Sequence, residues 1–221
     1  MDITKAHCNG CLGERNHEIL HAHESKWDNE ESGFSGSDLY ELLKCCGCEK
    51  IALRHTCWFS EDIDPQTGDL EPSVNYYPPP ISRQRPRWFA EVYRNEALYD
   101  LNCLLEEIYI GLQNKSVRLA TMGIRALLEN MMIQKVGDHG SFSSNLSELH
   151  SKGFVTEEQK KILDTVLEAG HAVMHRQYSP NEGDLISCMD IVESLIETIY
   201  VHPGKAAELS KKIPHRCDKK T

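Results

Sequence analysis

Between Asn95 and Val136 the chain reads NEALYDLNCLLEEIYIGLQNKSVRLATMGIRALLENMMIQKV, two segments hinged at Gln113-Asn114. In the first, Leu98, Leu101, Leu105, Ile108 and Leu112 recur at alternating steps of three and four. Asn95, Glu96, Asp100, Asn102, Glu106 and Glu107 fall on the other side, which predicts an amphipathic helix with one buried face. In the second, Val117, Ala120, Ile124, Leu127 and Met131 repeat the spacing. Here Leu119, Met122, Leu128 and Met132 spread apolar groups around much of the remaining circumference, as in the central helix of a bundle. Arg125 and Glu129 sit inside that helix one turn apart. They read either as an ion pair or hydrogen-bonded pair that fixes register, or as an arginine turned toward a phosphate.

Downstream, Asn145 with Glu148 has the pattern of a capping box, and Gly153 closes the short helix it opens. Thr156 with Gln159 starts a longer helix, in which Ile162, Val166, Ala169 and Val173 form the expected buried stripe. Asp164, Glu168, His171 and His175 form a separate stripe at steps of four, three and four. Ser179-Pro180-Asn181-Glu182 begins a last helix with proline at its first position, buried through Ile186, Met189, Val192, Leu195, Ile196 and Ile199 and ending before Pro203. Four principal helices joined by short links make the expected fold mainly α, a helical bundle preceded by a small β-rich module.

That module rests on cysteines. Cys8-Asn9-Gly10-Cys11 and Cys45-Cys46-Gly47-Cys48 are two C-x2-C knuckles, each with a glycine that lets the backbone turn tightly. Four thiolates from Cys8, Cys11, Cys45 and Cys48 suit a tetrahedral zinc ion, and such a closed site leaves no open position for catalysis, so its role is structural. Cys46 competes with Cys45 on spacing, and His7, His17, His21 and His23 are near enough in sequence to replace a thiolate. Ile51 to Phe59 alternates with the period of a strand, with Tyr40 to Lys44 as its partner, while Asp28 to Asp38 reads as a mobile loop rich in Gly, Ser and acidic residues. Zinc would staple a small sheet that lacks a sufficient core of its own.

The expected organisation is a zinc-ribbon-like module over residues 1–61, an extended proline-rich connector over 62–87, the helical bundle over 88–202 and a basic tail over 203–221. In the connector, Tyr76-Tyr77-Pro78-Pro79-Pro80 runs extended, as a stiff linker or a proline-rich ligand. In the tail, Lys211, Lys212 and Arg216 are the candidate contacts to nucleic acid, against the ordinary reading of a solvated terminus. The 221 residues carry a formal net charge of −10, which argues against a surface that coats nucleic acid as a whole. No apolar run approaches a membrane span, and Met1-Asp2-Ile3-Thr4-Lys5 lacks a signal-peptide core, so a cytoplasmic protein without membrane contact is expected. The nine cysteines concentrate in metal-ligand spacing, which fits reduced thiols and a metal better than disulfides.

The paired knuckles, the Tyr77-Pro78-Pro79-Pro80 connector, Gly123-Ile124-Arg125-Ala126-Leu127-Leu128-Glu129 and Gly170-His171-Ala172-Val173-Met174-His175 together resemble the bacterial domain-of-unknown-function family 4145. The helical domain of that family is similar to HEPN domains and recurs in restriction and phage-defence proteins; the resemblance spans roughly residues 88 to 201. HEPN ribonucleases carry an arginine, a polar residue, three further residues and a histidine on one helix, usually paired across a dimer. The imidazole moves the proton of a ribose 2′-hydroxyl and the permanent cation stabilises the phosphorane. By this resemblance His175 matches the histidine and His171 the polar position, while Gly170 stands where the arginine belongs. Arg125 or Arg176 is then the substitute cation.

The resemblance implies a zinc-binding accessory or nucleic-acid-binding protein of prokaryotic defence or restriction type, without strong catalysis. It also implies a homodimer, with RNA, DNA or a defence-system protein as partner. The alternatives are a metal-independent HEPN-type ribonuclease using His171, His175 and Arg125, and a structural module for protein–protein interaction. On their own, His171 and His175 read equally as solvated or carboxylate-bonded side chains, and a metal pair with Glu168 lacks the HExxH pattern.

Overall fold

The computed structural model describes residues 2–31, 33–64, 66–81 and 83–213. The chain divides into two compact units, Met1–Ser82 and Arg83–Thr221.

The first unit is a five-stranded sheet: β1 (Ile3–Cys8), β2 (Gly13–Asn29), β3 (Phe34–Cys45), β4 (Ile51–Phe59) and β5 (Ser73–Tyr77). Spatial order equals chain order and every neighbouring pair is antiparallel, so the sheet is a simple meander. Strands side by side in register place Thr4 opposite His17, His17 opposite Cys45 and Glu41 opposite Arg54. These residues share one face, on which Ala6, Cys8, His17, Glu41, Leu43, Cys45 and Thr56 are buried. Glu41 is tolerated there because Arg54 Nε donates to its Oε2 at 2.7 Å, and Arg54 also reaches Thr4 Oγ1 at 3.1 Å.

The expected mainly α fold is therefore incorrect. About half of the chain is helical, and a five-stranded antiparallel sheet occupies the N-terminal unit. Three readings of the sequence account for the error. The stretch expected as a mobile loop over Asp28 to Asp38 is largely strand, since β2 runs to Asn29 and β3 begins at Phe34. β2 itself, 17 residues long, carries no apolar alternation, because residues 20–29 are exposed on both faces. Within the expected connector, Ser73 to Tyr77 is indeed extended but forms the edge strand β5, which stops where Pro78 has no N–H to offer a ladder.

The second unit is helical: α1 (Phe89–Tyr93), a short 3-10 turn (Glu96–Leu98), α2 (Tyr99–Gln113), α3 (Val117–Val136), α4 (Phe142–Ser151), α5 (Glu157–His175), α6 (Glu182–Ile196), a π turn (Glu197–Val201) and α7 (His202–Lys212). α3 packs against α2, α4, α5 and α6. Its Ile124, Leu127, Leu128 and Met131 are almost fully buried, with Leu101, Leu105 and Ile108 of α2 facing them in one core. The hinge at Gln113-Asn114 is where the sequence places it, with Lys115 in the left-handed region at φ 56°. The capping box of Thr156 and Gln159 is formed.

Other helical details differ. α4 is capped by Ser141, whose side chain accepts from Ser144 N. Asn145 lies buried inside the helix and its Oδ1 accepts from His139 N at 2.7 Å. α6 is capped by Asn181 in a box with Asp184, so Pro180 precedes the helix, and Leu185 is buried where Ile186 was expected. The buried face of α5 is Leu163, Val166, Leu167 and Gly170, one position round from the expected stripe, and Ile162 is 46% exposed. The helix does not end before Pro203: the π turn carries the chain into α7, with the proline in the first turn. No helix among the described residues is long and apolar enough to cross a membrane.

Candidate functional site

Both knuckles have the same local construction. In the first, the N–H groups of Gly10 and Cys11 point at Cys8 Sγ at 3.3 and 3.4 Å, Leu12 N donates to Cys8 O at 2.8 Å, and Leu12 takes φ 56°. In the second, Gly47 N points at Cys45 Sγ at 3.4 Å, Glu49 N donates to Cys45 O at 2.9 Å, and Glu49 takes φ 60°. Backbone donors aimed at sulfur stabilise a thiolate, so each turn is prepared for a cation before one arrives. β1 leads into the first knuckle and β3 into the second; because His17 of β2 lies between Thr4 and Cys45, the two turns emerge at the same end of the sheet.

The four sulfurs of Cys8, Cys11, Cys45 and Cys48 lie within 4.8 Å of one another. Cys8 Sγ is 3.4 Å from Cys48 Sγ, and Cys11 Sγ is 3.9 Å from Cys45 Sγ. A tetrahedron with metal–sulfur bonds of about 2.3 Å has edges of about 3.8 Å, so the set fits a tetrathiolate metal ion. Two thiols of the set titrate in opposite directions. Burial works against ionising Cys45, but the backbone N–H groups of Cys48 and Gly47, with the thiols of Cys8 and Cys48, outweigh it and draw the group down to about 6. Cys11 is pushed up to about 12 by its hydrogen bond with Cys48, by burial and by Cys45 and Cys8. Four negative charges this close repel, and a dication removes that repulsion by replacing the protons.

No disulfide joins the described cysteines, and Cys46 and Cys57 stand outside the cluster. The neighbouring histidines have other occupations: His7 Nε2 is 3.1 Å from Asn9 Oδ1, and His17, buried, holds Arg15 O at 3.0 Å through Nδ1. Asn9, inside the first knuckle, also donates to Pro79 O at 2.8 Å and accepts from Ile81 N at 2.9 Å, fastening the segment that follows β5.

In the helical unit the imidazole rings of His171 and His175 lie 4.6 Å apart, centroid to centroid, on α5. His171 Nδ1 is buried and has no hydrogen-bond partner among the described residues. Glu168 pairs with Arg176. Arg125, on α3, stands directly over Gly170: a Cβ on that glycine would come within 2.7 Å of Arg125 Cβ and 3.2 Å of its Cδ. The arginine stem thus occupies the space a side chain at position 170 would need. Its Nη1 donates to Leu167 O at 2.8 Å and its guanidinium lies 3.6 Å above the ring centroid of Phe142, with no ion pair to Glu129 among the described residues. Lys211 and Lys212 are exposed at the end of α7, while Arg216 lies outside the described residues.

The charge is divided unevenly, a feature that total composition hides. Residues 1–82 hold 15 acidic and 6 basic residues, and residues 83–221 hold 19 and 18.

The model of the family described as Domain of unknown function (DUF4145) matches residues 106–212, from the middle of α2 to the end of α7. It supports the resemblance to that family over this stretch. No curated protein and no solved structure matches the chain.

Proposed function

We propose that the chain is a zinc-stapled accessory protein in which a HEPN-like helical unit contacts nucleic acid in a prokaryotic defence or restriction setting, without strong catalysis. The tetrahedral spacing of the four sulfurs supports a structural zinc ion held by Cys8, Cys11, Cys45 and Cys48. The near balance of charge in residues 83–221, against the acidic excess of residues 1–82, favours the helical unit for contact with a polyanion. Lys211 and Lys212 are the exposed candidates. The defence setting comes from the family resemblance alone.

The observation that carries the non-catalytic reading is the state of Arg125. A transition-state cation needs its donors directed at the reacting phosphate, and this guanidinium is turned to Leu167 O and the Phe142 ring. In the competing ribonuclease reading, His175 and His171 would serve a ribose 2′-hydroxyl with Arg125 as the cation. Incubation of the full chain with labelled single-stranded RNA, tRNA and DNA in EDTA separates the two. Salt-sensitive retention without cleavage is expected. Cleavage that persists in EDTA and disappears in an identically purified His175→Ala variant would overturn the accessory reading.

The homodimer belongs to the same proposal. Leu119, Met122, Ala126 and Ile133 recur along one side of α3, and Leu119 is 68% exposed, an apolar stripe of the kind a second copy covers. Light scattering at micromolar concentration is expected to give twice the chain mass, and Leu119→Asp to halve it.

A further inference from the structure

The sheet face opposite the four clustered cysteines carries an open set of aromatic rings among polar side chains. The strand register puts Trp27 of β2, Gly36 of β3 and Phe59 of β4 in one row, and His23, Tyr40, His55 and Asn75 in another. Trp27 lies across Gly36: a Cβ there would come within 2.7 Å of the indole ring, so glycine is what lets the ring reach its neighbour. Trp27 stacks on Phe59 with centroids 6.0 Å apart, and Phe34 meets the same Phe59 edge-on at 5.7 Å. Next along, Tyr40 and His55 stack at 4.4 Å, and His55 Nε2 is fixed by Asp38 Oδ1 at 2.6 Å. The rings are mutually ordered, yet Trp27, Phe34, Tyr40 and Tyr77 are all exposed. Ordered aromatic rings left to solvent are a feature of surfaces that meet a partner.

Charge indicates the occupant. At the end of the sheet carrying Trp27, Phe34 and Phe59, the turn between β2 and β3 supplies Glu30 and Glu31. Residues 61–71 supply Glu61, Asp62, Asp64, Asp69 and Glu71 and no lysine or arginine. Asp62 N donates to Phe59 O and Glu71 N to Asp62 O, so this turn folds back beside the aromatic row. The nearby Lys26 is paired with Glu24 at 3.3 Å. A polyanion is repelled here, and a second copy of the same acidic unit is repelled as well.

We propose that this face docks a cationic polypeptide segment of another protein, whose arginine or lysine side chains lie on the Trp27, Phe34 and Phe59 rings while the acidic border holds their charge. This proposal is independent of the nucleic-acid reading, which concerns the helical unit.

The test uses the full metal-loaded chain and a short fluorescent peptide alternating arginine with valine, read by anisotropy. Binding that weakens as salt rises is expected, with Trp27→Ala and Phe34→Ala each reducing affinity about tenfold and retaining the same metal content. The same peptide with glutamate in place of arginine is expected not to bind. Equal binding of the two peptides overturns the proposal. So does unchanged affinity in both ring variants, which would leave charge alone as the cause. Loss of RNA or oligosaccharide retention in the ring variants, or loss of a dimer in them, would assign the face to another occupant and overturn it likewise.

Discussion

Gly10 has Cys48 Sγ 2.7 Å from where its own side chain would begin, so the second knuckle's sulfur uses the space this glycine leaves. Gly10→Ala is expected to displace that sulfur and weaken metal retention against a competing chelator. Cys46→Ser and Cys57→Ser, outside the cluster, are expected to retain one zinc per chain by elemental analysis. Any one of Cys8, Cys11, Cys45 or Cys48 changed to serine is expected to lose most of it. Gly170 is the helical counterpart. The short motif identified the residue, but a glycine carries no signal of what covers it, so the fit of Arg125 over it was not legible. Gly170→Ala forces α3 and α5 apart and is expected to cost about 1–3 kcal/mol in urea titration. Gly170→Arg, which puts an arginine at the position where HEPN ribonucleases carry one, is expected to destabilise rather than to create RNA cleavage, because Arg125 already fills the space.

At the scale of elements, Tyr109 of α2 is tied to Glu193 of α6. Its hydroxyl donates to Glu193 Oε1 at 2.6 Å, and Arg83 Nε donates to the same oxygen at 2.7 Å. Burial, then the hydrogen bond to Glu193, holds the Tyr109 hydroxyl protonated above its ordinary value of 10.0. A raised folded-state value means that the unfolded chain loses its proton first as pH rises. The stabilisation is complete below about pH 10 and is lost progressively above it. Urea midpoints measured on either side of pH 10.0 are expected to fall toward the alkaline side, and Tyr109→Phe to flatten part of that fall. The same variant is expected to lose about 1 kcal/mol at neutral pH, the net worth of one hydrogen bond. Tyr200, held up by burial, adds a slope of the same sign, which is why the flattening is partial.

Legibility also differed by element. α2 and α3 were readable because their apolar residues keep to one periodicity over many turns. On α5 two apolar sets compete, Ile162-Val166-Ala169-Val173 and Leu163-Val166-Leu167-Gly170, and discounting a glycine as a core residue selects the wrong one. β2 was missed for the opposite reason: where both faces of a strand meet water, no alternation exists to be read. Each pair of sulfurs was legible from spacing alone, since a C-x2-C turn constrains its own geometry, while the meeting of the two pairs depends on β1 and β3 ending at the same end of the sheet.

For the whole molecule, the distribution of buried groups sets how the two units respond to metal removal. The large connected core runs from Trp88 to Val201 and lies entirely in the helical unit. Among its described residues the sheet unit buries Ala6, Cys8, Leu43 and Cys45 as hydrophobic residues, two of them among the four proposed zinc ligands, beside the polar His17, Glu41 and Thr56. A core so small is a weak offset to the chain entropy of a sheet with a 17-residue strand, so a metal ion held by the four thiols would supply folding energy to that unit. Unfolding is accordingly expected in two steps, followed by circular dichroism, whose helical signal comes from one unit alone. A strong chelator is expected to lower the sheet transition by about 4 kcal/mol or more, the stabilisation given by a ligand held a thousandfold above its dissociation constant, while the helical transition stays in place. Coincident transitions that move together on chelation would show that the helical unit also depends on the metal. An unmoved first transition would show that the four thiols hold the sheet without a metal, and would leave zinc with no structural role.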